Sequence, residues 1–225
     1  GVKWARIVDE VTEAVRAAGP LGDWAQPSPD NSSGSRLLPD PGEEPRGAPS
    51  DDENERTTAH LRHVAATLLT EGEVSLVIGY TAGTLPGQMV PAFVTRPEDA
   101  SILAWNERCG NNLTVYLPEA LKKRGDGKVG LVVKSCDAKG VVGLLKENQL
   151  KREDVSLLGV SCTGLWEDGR LATKCYACSE AVSPLSDRAI TPDGVWEGAV
   201  TDAGERPVGP DPRDVQIASL EALSP

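Results

Sequence analysis

Lys128-Val129-Gly130-Leu131-Val132-Val133-Lys134-Ser135-Cys136-Asp137 decides the fold: an apolar strand over Val129 to Val133 gives way to a polar turn, and a helix follows over Lys139 to Gln149. After the turn Arg152-Glu153-Asp154, a second apolar run from Val155 to Val160 leads into Ser161-Cys162-Thr163-Gly164. Two apolar strands joined by one helix make a β-α-β unit, with buried parallel strands and a right-handed crossover. The expected fold class is α/β. In open sheets of this class ligands lie beyond the carboxyl ends of the strands, where Cys136 and Cys162 stand. Lys174-Cys175-Tyr176-Ala177-Cys178 adds a C-x-x-C loop, so four of the five cysteines fall within 43 positions.

Working outward, Asn111 to Lys123 predicts a helix through Leu113, Tyr116, Leu117 and Leu121. Pro97-Glu98-Asp99 opens another, with proline and acids in its first turn. Between them lies the polar stretch Trp105 to Asn112, which carries the fifth cysteine, Cys109. Val74 to Ile78 and Val90 to Val94 predict strands, separated by a glycine-rich turn, Gly79 to Gly87, that is neither a dinucleotide fingerprint nor a P-loop. Ala59 to Thr70 is helical by its Leu61, Val64, Leu68 and Leu69 spacing. His60 and His63 lie on that helix at i and i+3, but no neighbouring Cys or carboxylate in the sequence completes a metal site, so they read as surface or packing residues.

Residues 26–57 hold six prolines, eight acids and three arginines with little apolar content beyond Leu37 and Leu38, the composition of a disordered linker. Before it, Trp4, Ile7, Val8, Val11 and Val15 mark an amphipathic helix over Lys3 to Ala18 that Gly19-Pro20 ends. After Cys178 the chain turns irregular, with a short strand near Val195 to Val200 and a helix over Val215 to Leu223.

The chain has 225 residues and a formal net charge of −11, which argues against general nucleic-acid or anionic-membrane binding. No apolar run approaches a membrane span, and no secretory pattern opens the chain, so a cytoplasmic protein is expected. Residues 120–152 reverse the charge, with nine Lys or Arg against three acids, a local balance of +6 that suits an anionic ligand or partner or else forms solvated helix faces.

Clustered thiols in a reducing compartment point to metal or redox chemistry rather than disulfides. Cys136, read as preceding a helix whose first amides point at it with Lys134 and Lys139 near, is expected to favour its thiolate. Small neighbours, Ser135, Ala138, Gly140, Ser161, Gly164 and Ala177, leave room for a bulky inorganic core. Three readings stand: a 4Fe-4S cluster on Cys136, Cys162, Cys175 and Cys178; a structural zinc in a protein-interaction module, where Trp4, Trp24 and the N-terminal helix matter; and a Cys175–Cys178 dithiol beside unrelated thiols. The spacing C-x25-C-x12-C-x2-C is neither a compact ferredoxin run nor a two-knuckle zinc ribbon.

Lys128 to Asp137, Gly159 to Gly164, Lys174 to Cys178 and Asn111-Asn112-Leu113-Thr114-Val115-Tyr116-Leu117-Pro118 resemble the iron-sulfur beta subunits of the coenzyme F420 (deazaflavin) hydrogenase and dehydrogenase family, over about Leu61 to Ile190. That family includes formate dehydrogenase beta subunits and proteins associated with heterodisulfide reductases. The resemblance implies an oxidoreductase electron-transfer subunit that works with a catalytic partner subunit. Electrons would pass through a 4Fe-4S cluster to a flavin, deazaflavin, ferredoxin or partner. It makes Cys136, Cys162, Cys175 and Cys178 the ligands, with Cys109 an outside candidate near the cluster and no residue acting as general acid, base or nucleophile. FAD is a second candidate cofactor, although no flavin fingerprint is found. Lys134 and Lys139 are the expected cofactor-side cations. With Lys146 and Lys151, they would complement the cluster or steer an acidic ferredoxin. Shorter relatives continue into a ferredoxin-like segment beyond where this chain stops, implying a larger assembly or a truncated chain. The resulting division is an N-terminal helix in 1–25, a linker in 26–57, an α/β iron-sulfur domain in 58–190 and an irregular tail in 191–225.

Overall fold

The computed structural model describes residues 48–123, 127–167, 170–176, 178, 180–198 and 217. The expected helix over Lys3 to Ala18 falls outside them, as does that over Val215 to Leu223 apart from Ile217.

Helix α1 spans Asp51–Thr70 and begins inside the segment read as linker. Composition misleads there because Ser50 and Glu53 form a reciprocal capping box: Ser50 Oγ accepts the Glu53 amide at 3.2 Å and Glu53 Oε2 accepts the Ser50 amide at 2.9 Å. The acids Asp51, Asp52 and Glu53 then favour the helix start through its dipole. Leu61, Val64, Ala65 and Leu68 form its buried stripe. Each fully buried leucine contributes about 2 kcal/mol of apolar transfer energy.

Strands β1 (Val74–Ala82) and β2 (Met89–Val94) form an antiparallel hairpin, paired from Val77↔Val94 to Ala82↔Met89. β1 therefore runs four residues past its expected end, and only residues 83–88 remain as the turn. Short 3₁₀ helices at Pro97–Ile102 and Leu113–Tyr116 follow, the second running into α2 (Leu117–Lys123). Then come β3 (Lys128–Val133), α3 (Ser135–Lys146) and β4 (Val155–Val160). A two-stranded hairpin, β5 (Trp166–Glu167) and β6 (Arg170–Leu171), precedes β7 (Arg188–Thr191) and β8 (Gly194–Glu197).

The chain is mixed α/β, with a six-stranded sheet ordered β2-β1-β3-β4-β7-β8. Four central strands are parallel, and an antiparallel strand closes each edge. The β3-α3-β4 unit read from sequence is present, registered Val129↔Val155 to Val133↔Gly159. Every residue of β4 is buried, as a central parallel strand requires. α3, however, starts at Ser135, four residues earlier than expected.

β7 escaped the sequence reading, and β8 carries the sheet past residue 190 into the stretch read as tail. Polar anchors set β7. Asp187 accepts the Leu157 amide at 2.7 Å and pairs with Arg152 at 2.6 Å, while Arg188 meets Glu73 through two bonds of 3.1 and 3.0 Å. The Arg188 bonds hold the Glu73 carboxyl below its ordinary value of 4.5. A depressed folded-state value stabilises the fold above the unfolded value and loses that stabilisation as pH falls through the folded one. Glu73→Gln should therefore flatten the acid side of the stability curve below pH 4.5, read by urea midpoints, and an unchanged curve counts against the pair.

Gly159 in β4 is a close-approach glycine: a Cβ there would stand 1.9 Å from Ser186 Oγ and 2.7 Å from Ser186 Cβ. Gly159→Ala is expected to destabilise the fold by about 2 kcal/mol, the scale of an overpacked core. Urea unfolding at neutral pH checks this, and a loss within error of zero would show that the β7 side yields freely.

Candidate metal centre

The carboxyl edge of the sheet gathers the cysteines from three elements. Cys136 is the second residue of α3, directly after β3, and is exposed. Cys162 follows β4 by two residues and is buried. Its amide donates to Ala181 O at 2.8 Å, and the Ser161 amide to Ile190 O at 2.8 Å, which fixes the chain where it leaves the sheet. Cys175 ends a 3₁₀ turn, Thr173–Cys175, and the Cys178 amide donates to Cys175 O at 3.3 Å.

Twelve residues separate Cys162 from Cys175, and the β5–β6 hairpin folds them back. Trp166 pairs with Leu171, the Ala172 amide donates to Leu165 O at 2.8 Å, and the Leu165 amide donates to Cys175 Sγ at 3.4 Å. The Trp166 amide also donates to Glu107 O at 3.0 Å, which ties the hairpin to the Cys109 loop. A long sequence spacing thus becomes a short spatial one.

The thiols feel one another. Burial pushes Cys162 up to about 11, against the Gly164 amide and Lys134, while charge on Cys136 and Cys175 raises it further. Burial first and then Asp137 raise Cys136. Lys134 and Lys174 oppose this, and charge on Cys178 adds to it. Cys109 is pushed up to about 12 by burial, against the Asn106 amide and Lys134, with charge on Cys162 and Glu107 raising it further. Electrostatic reach therefore links Cys178 to Cys136, Cys136 to Cys162, Cys162 to Cys175, and Cys162 to Cys109. Among the described residues no three His, Cys, Asp or Glu side chains lie close enough to hold a single metal ion.

Two expectations are corrected. Cys136 lies within the first helical turn beside Asp137; the residue is exposed but its sulfur is partly sheltered, and that desolvation with the carboxylate outweighs Lys134, so its thiolate is disfavoured in the metal-free chain. Lys134 is no surface cation. It is 0% exposed, and its Nζ lies 2.6 Å from Tyr80 Oη, 2.8 Å from Cys109 O, 3.0 Å from Asn111 O and 2.5 Å from Asp137 Oδ2. Asp137 Oδ2 is paired with the Lys134 ammonium. Lys139 is exposed on α3. Tyr80 and Asp137 were missed as members of the site; the i,i+3 spacing of Lys134 and Asp137 is the signal that could have found the second, had the helix been started at Ser135.

Cys109 is fully buried, with the Asn106 amide 3.5 Å from its sulfur. His60 Nδ1 lies 2.8 Å from Thr191 O and His63 is exposed, as packing and surface residues. A cavity of about 30 Å³, room for one water, opens beside the edge between Glu53, Asn54, Trp105, Glu107 and Ser161. No helix among the described residues is long and apolar enough to cross a membrane.

No protein-family model matches the chain. It is similar to the F420-dependent formate dehydrogenase 1 subunit beta of Methanococcus maripaludis, at 30% identity over 102 residues, 43% of this chain and 24% of that protein. The chain thus spans about a quarter of the length of that relative. Among solved structures it is similar to a chain of the F420-reducing [NiFe] hydrogenase complex from Methanosarcina barkeri, at 18% identity and a TM-score of 0.43, covering 68% of this chain and 60% of that one.

Proposed function

We propose that this chain is an iron-sulfur electron-transfer subunit of an oxidoreductase complex, of the hydrogenase and formate dehydrogenase beta type. Cys136, Cys162, Cys175 and Cys178 hold a 4Fe-4S cluster, and a catalytic subunit and a flavin, deazaflavin or ferredoxin carrier stand on either side of it. The observation that carries the reading is electrostatic. Each of four thiols, from the ends of two parallel strands and from one folded-back loop, lies within electrostatic reach of at least one other, Cys178 of Cys136, and Cys136 and Cys175 of Cys162. The similarity to a formate dehydrogenase beta subunit over 102 residues supports the class of complex.

The donor set fits the group. All four donors are thiols, the usual ligand set of a cubane, and a multi-iron core takes its thiolates at wider separation than one zinc, whose sulfurs would stand about 3.8 Å apart. The Leu165 amide at 3.4 Å from Cys175 Sγ and the Gly164 amide at Cys162 supply the amide-to-sulfur hydrogen bonds such a core needs. Bound there, the cluster supplies one-electron transfer. The chain holds its ligands, directs amides at sulfur and excludes water around buried Cys162 and Cys175. Metal binding displaces the thiol protons, so the raised values make loading release protons and grow tighter as pH rises.

Anaerobically purified protein should show broad absorbance at about 400 nm that dithionite bleaches, with about four iron and four sulfide per chain. Cys162→Ser should lose most of both. Full iron and sulfide in that variant, or a colourless protein holding zinc, overturns the assignment.

Metal-free protein should alkylate at exposed Cys136 well before Cys109, whose buried thiol is pushed up to about 12. Peptide mass mapping over time reads the order. Labelling of Cys109 as fast as Cys136 would mean that the loop over Cys109 opens freely.

A further inference from the structure

We propose that the buried pair Lys134 and Asp137 tunes the reduction potential of the cysteine-bound centre, the ammonium raising it and the carboxylate lowering it. This rests on the iron-sulfur reading above. Both groups act through the cluster rather than on a substrate, so they are positioning residues.

The geometry is that of a fixed charge. Lys134 follows β3, and its side chain is 1% exposed, as the Asp137 side chain is 6% exposed. Tyr80 Oη accepts from Lys134 at 2.6 Å and passes its own hydrogen to Asn111 O at 2.5 Å, while Cys109 O accepts from Lys134 at 2.8 Å. Nothing in this arrangement lets the ammonium swing to solvent. Cys136 stands one residue from Asp137, and its sulfur lies 3.7 Å from Asp137 Oδ1. The Lys134 charge reaches Cys109, Cys136 and Cys162, three thiols from three elements.

A cluster gains negative charge on reduction. A buried cation therefore favours the reduced state and a buried anion the oxidised one, more strongly where water is excluded. Lysine alone would poise the centre high. Asp137 offsets it at 2.5 Å, and both charges are needed for the balance. The competing account is that Lys134 only clamps the loop at Cys109 and Asn111 to the sheet.

The test removes the carboxylate first, because the Lys134 ammonium keeps its bonds to Tyr80, Cys109 O and Asn111 O, and then removes both charges. Asp137→Asn leaves the ammonium and should raise the midpoint potential relative to wild type. Adding Lys134→Met to that variant should lower it again. Redox titration of the loaded protein, followed by visible absorbance and by the EPR signal of the reduced cluster, reads both shifts at constant iron and sulfide content. Potentials unmoved in both variants with the cluster intact overturn the proposal and leave the clamp, as does loss of the cluster from both. If only the double variant fails to load, the sign of the Asp137→Asn shift decides. A wild-type protein that holds no cluster fails the iron-sulfur reading itself and takes this proposal with it.

Discussion

The Lys134 ammonium is the constraint around which the carboxyl edge is built. A lysine charge sealed from water costs several kcal/mol unless it is paired and hydrogen-bonded. Here the partners come from separate parts of the chain: Tyr80 on β1, the backbone at Cys109 and Asn111 in the loop before α2, and Asp137 in the first turn of α3. Satisfying that one group therefore draws β1, β3, the loop and α3 to a common point. Tyr80 also stacks at a tilt on Trp105, with ring centroids 5.9 Å apart, so the polar knot continues into the apolar core. Truncating Lys134 alone would leave the Asp137 carboxyl in the interior without its counter-ion, which is why the pair behaves as a unit.

The sheet supplies the other half of the arrangement. Because β3 and β4 are parallel, their carboxyl ends emerge together and deliver Cys136 and Cys162 to one rim. A parallel pair alone would bring two thiols. The other two arrive because the β5–β6 hairpin shortens the path from Cys162 to Cys175, and the Trp166 amide fastens that hairpin to Glu107 O at 3.0 Å. Cys109, on the same loop as Glu107, is thus carried to the rim as a by-product of the Lys134 knot. Its full burial and its sulfur's contact with the Asn106 amide give it a packing role at that point.

The sequence made the centre of the fold legible and its margins less so. β3 and β4 announce themselves as unbroken apolar runs, and the parallel geometry follows from the helix between them. The start of α1 was hidden because a composition rich in Pro and acid reads as disorder, whereas Ser50 and Glu53 needed a local capping argument. β7 is four residues long, and polar side chains on either side specify it: Asp187 by pairing with Arg152, and Arg188 by reaching Glu73, more than a hundred positions away. The burial of Lys134 could not be read from one sequence, since a lysine after a strand is by default a surface residue. Cys136 shows the same limit in electrostatics. A helix after β3 was visible, but not its start at Ser135, and whether Asp137 or Lys134 prevails at the sulfur depends on how deeply each is buried.

Charge distribution changes what the basic segment can do. Read along the chain, nine cations in residues 120–152 look like one surface. Lys122, Lys123 and Lys128 instead belong to the segment entering the amino end of β3, and Lys123 is paired with Glu119 at 3.1 Å. α3 runs back from the carboxyl edge, so Lys146, Lys151 and Arg152 also lie toward the amino end of β4. Lys134 is interior. Among the described residues, Lys174 is an exposed cation whose charge opposes the rise at Cys136, and Lys139, one turn into α3, is exposed as well. Exposed charges fade over a Debye length of about 8 Å at physiological salt, so a basic run split between the two ends of the sheet does not act as one field.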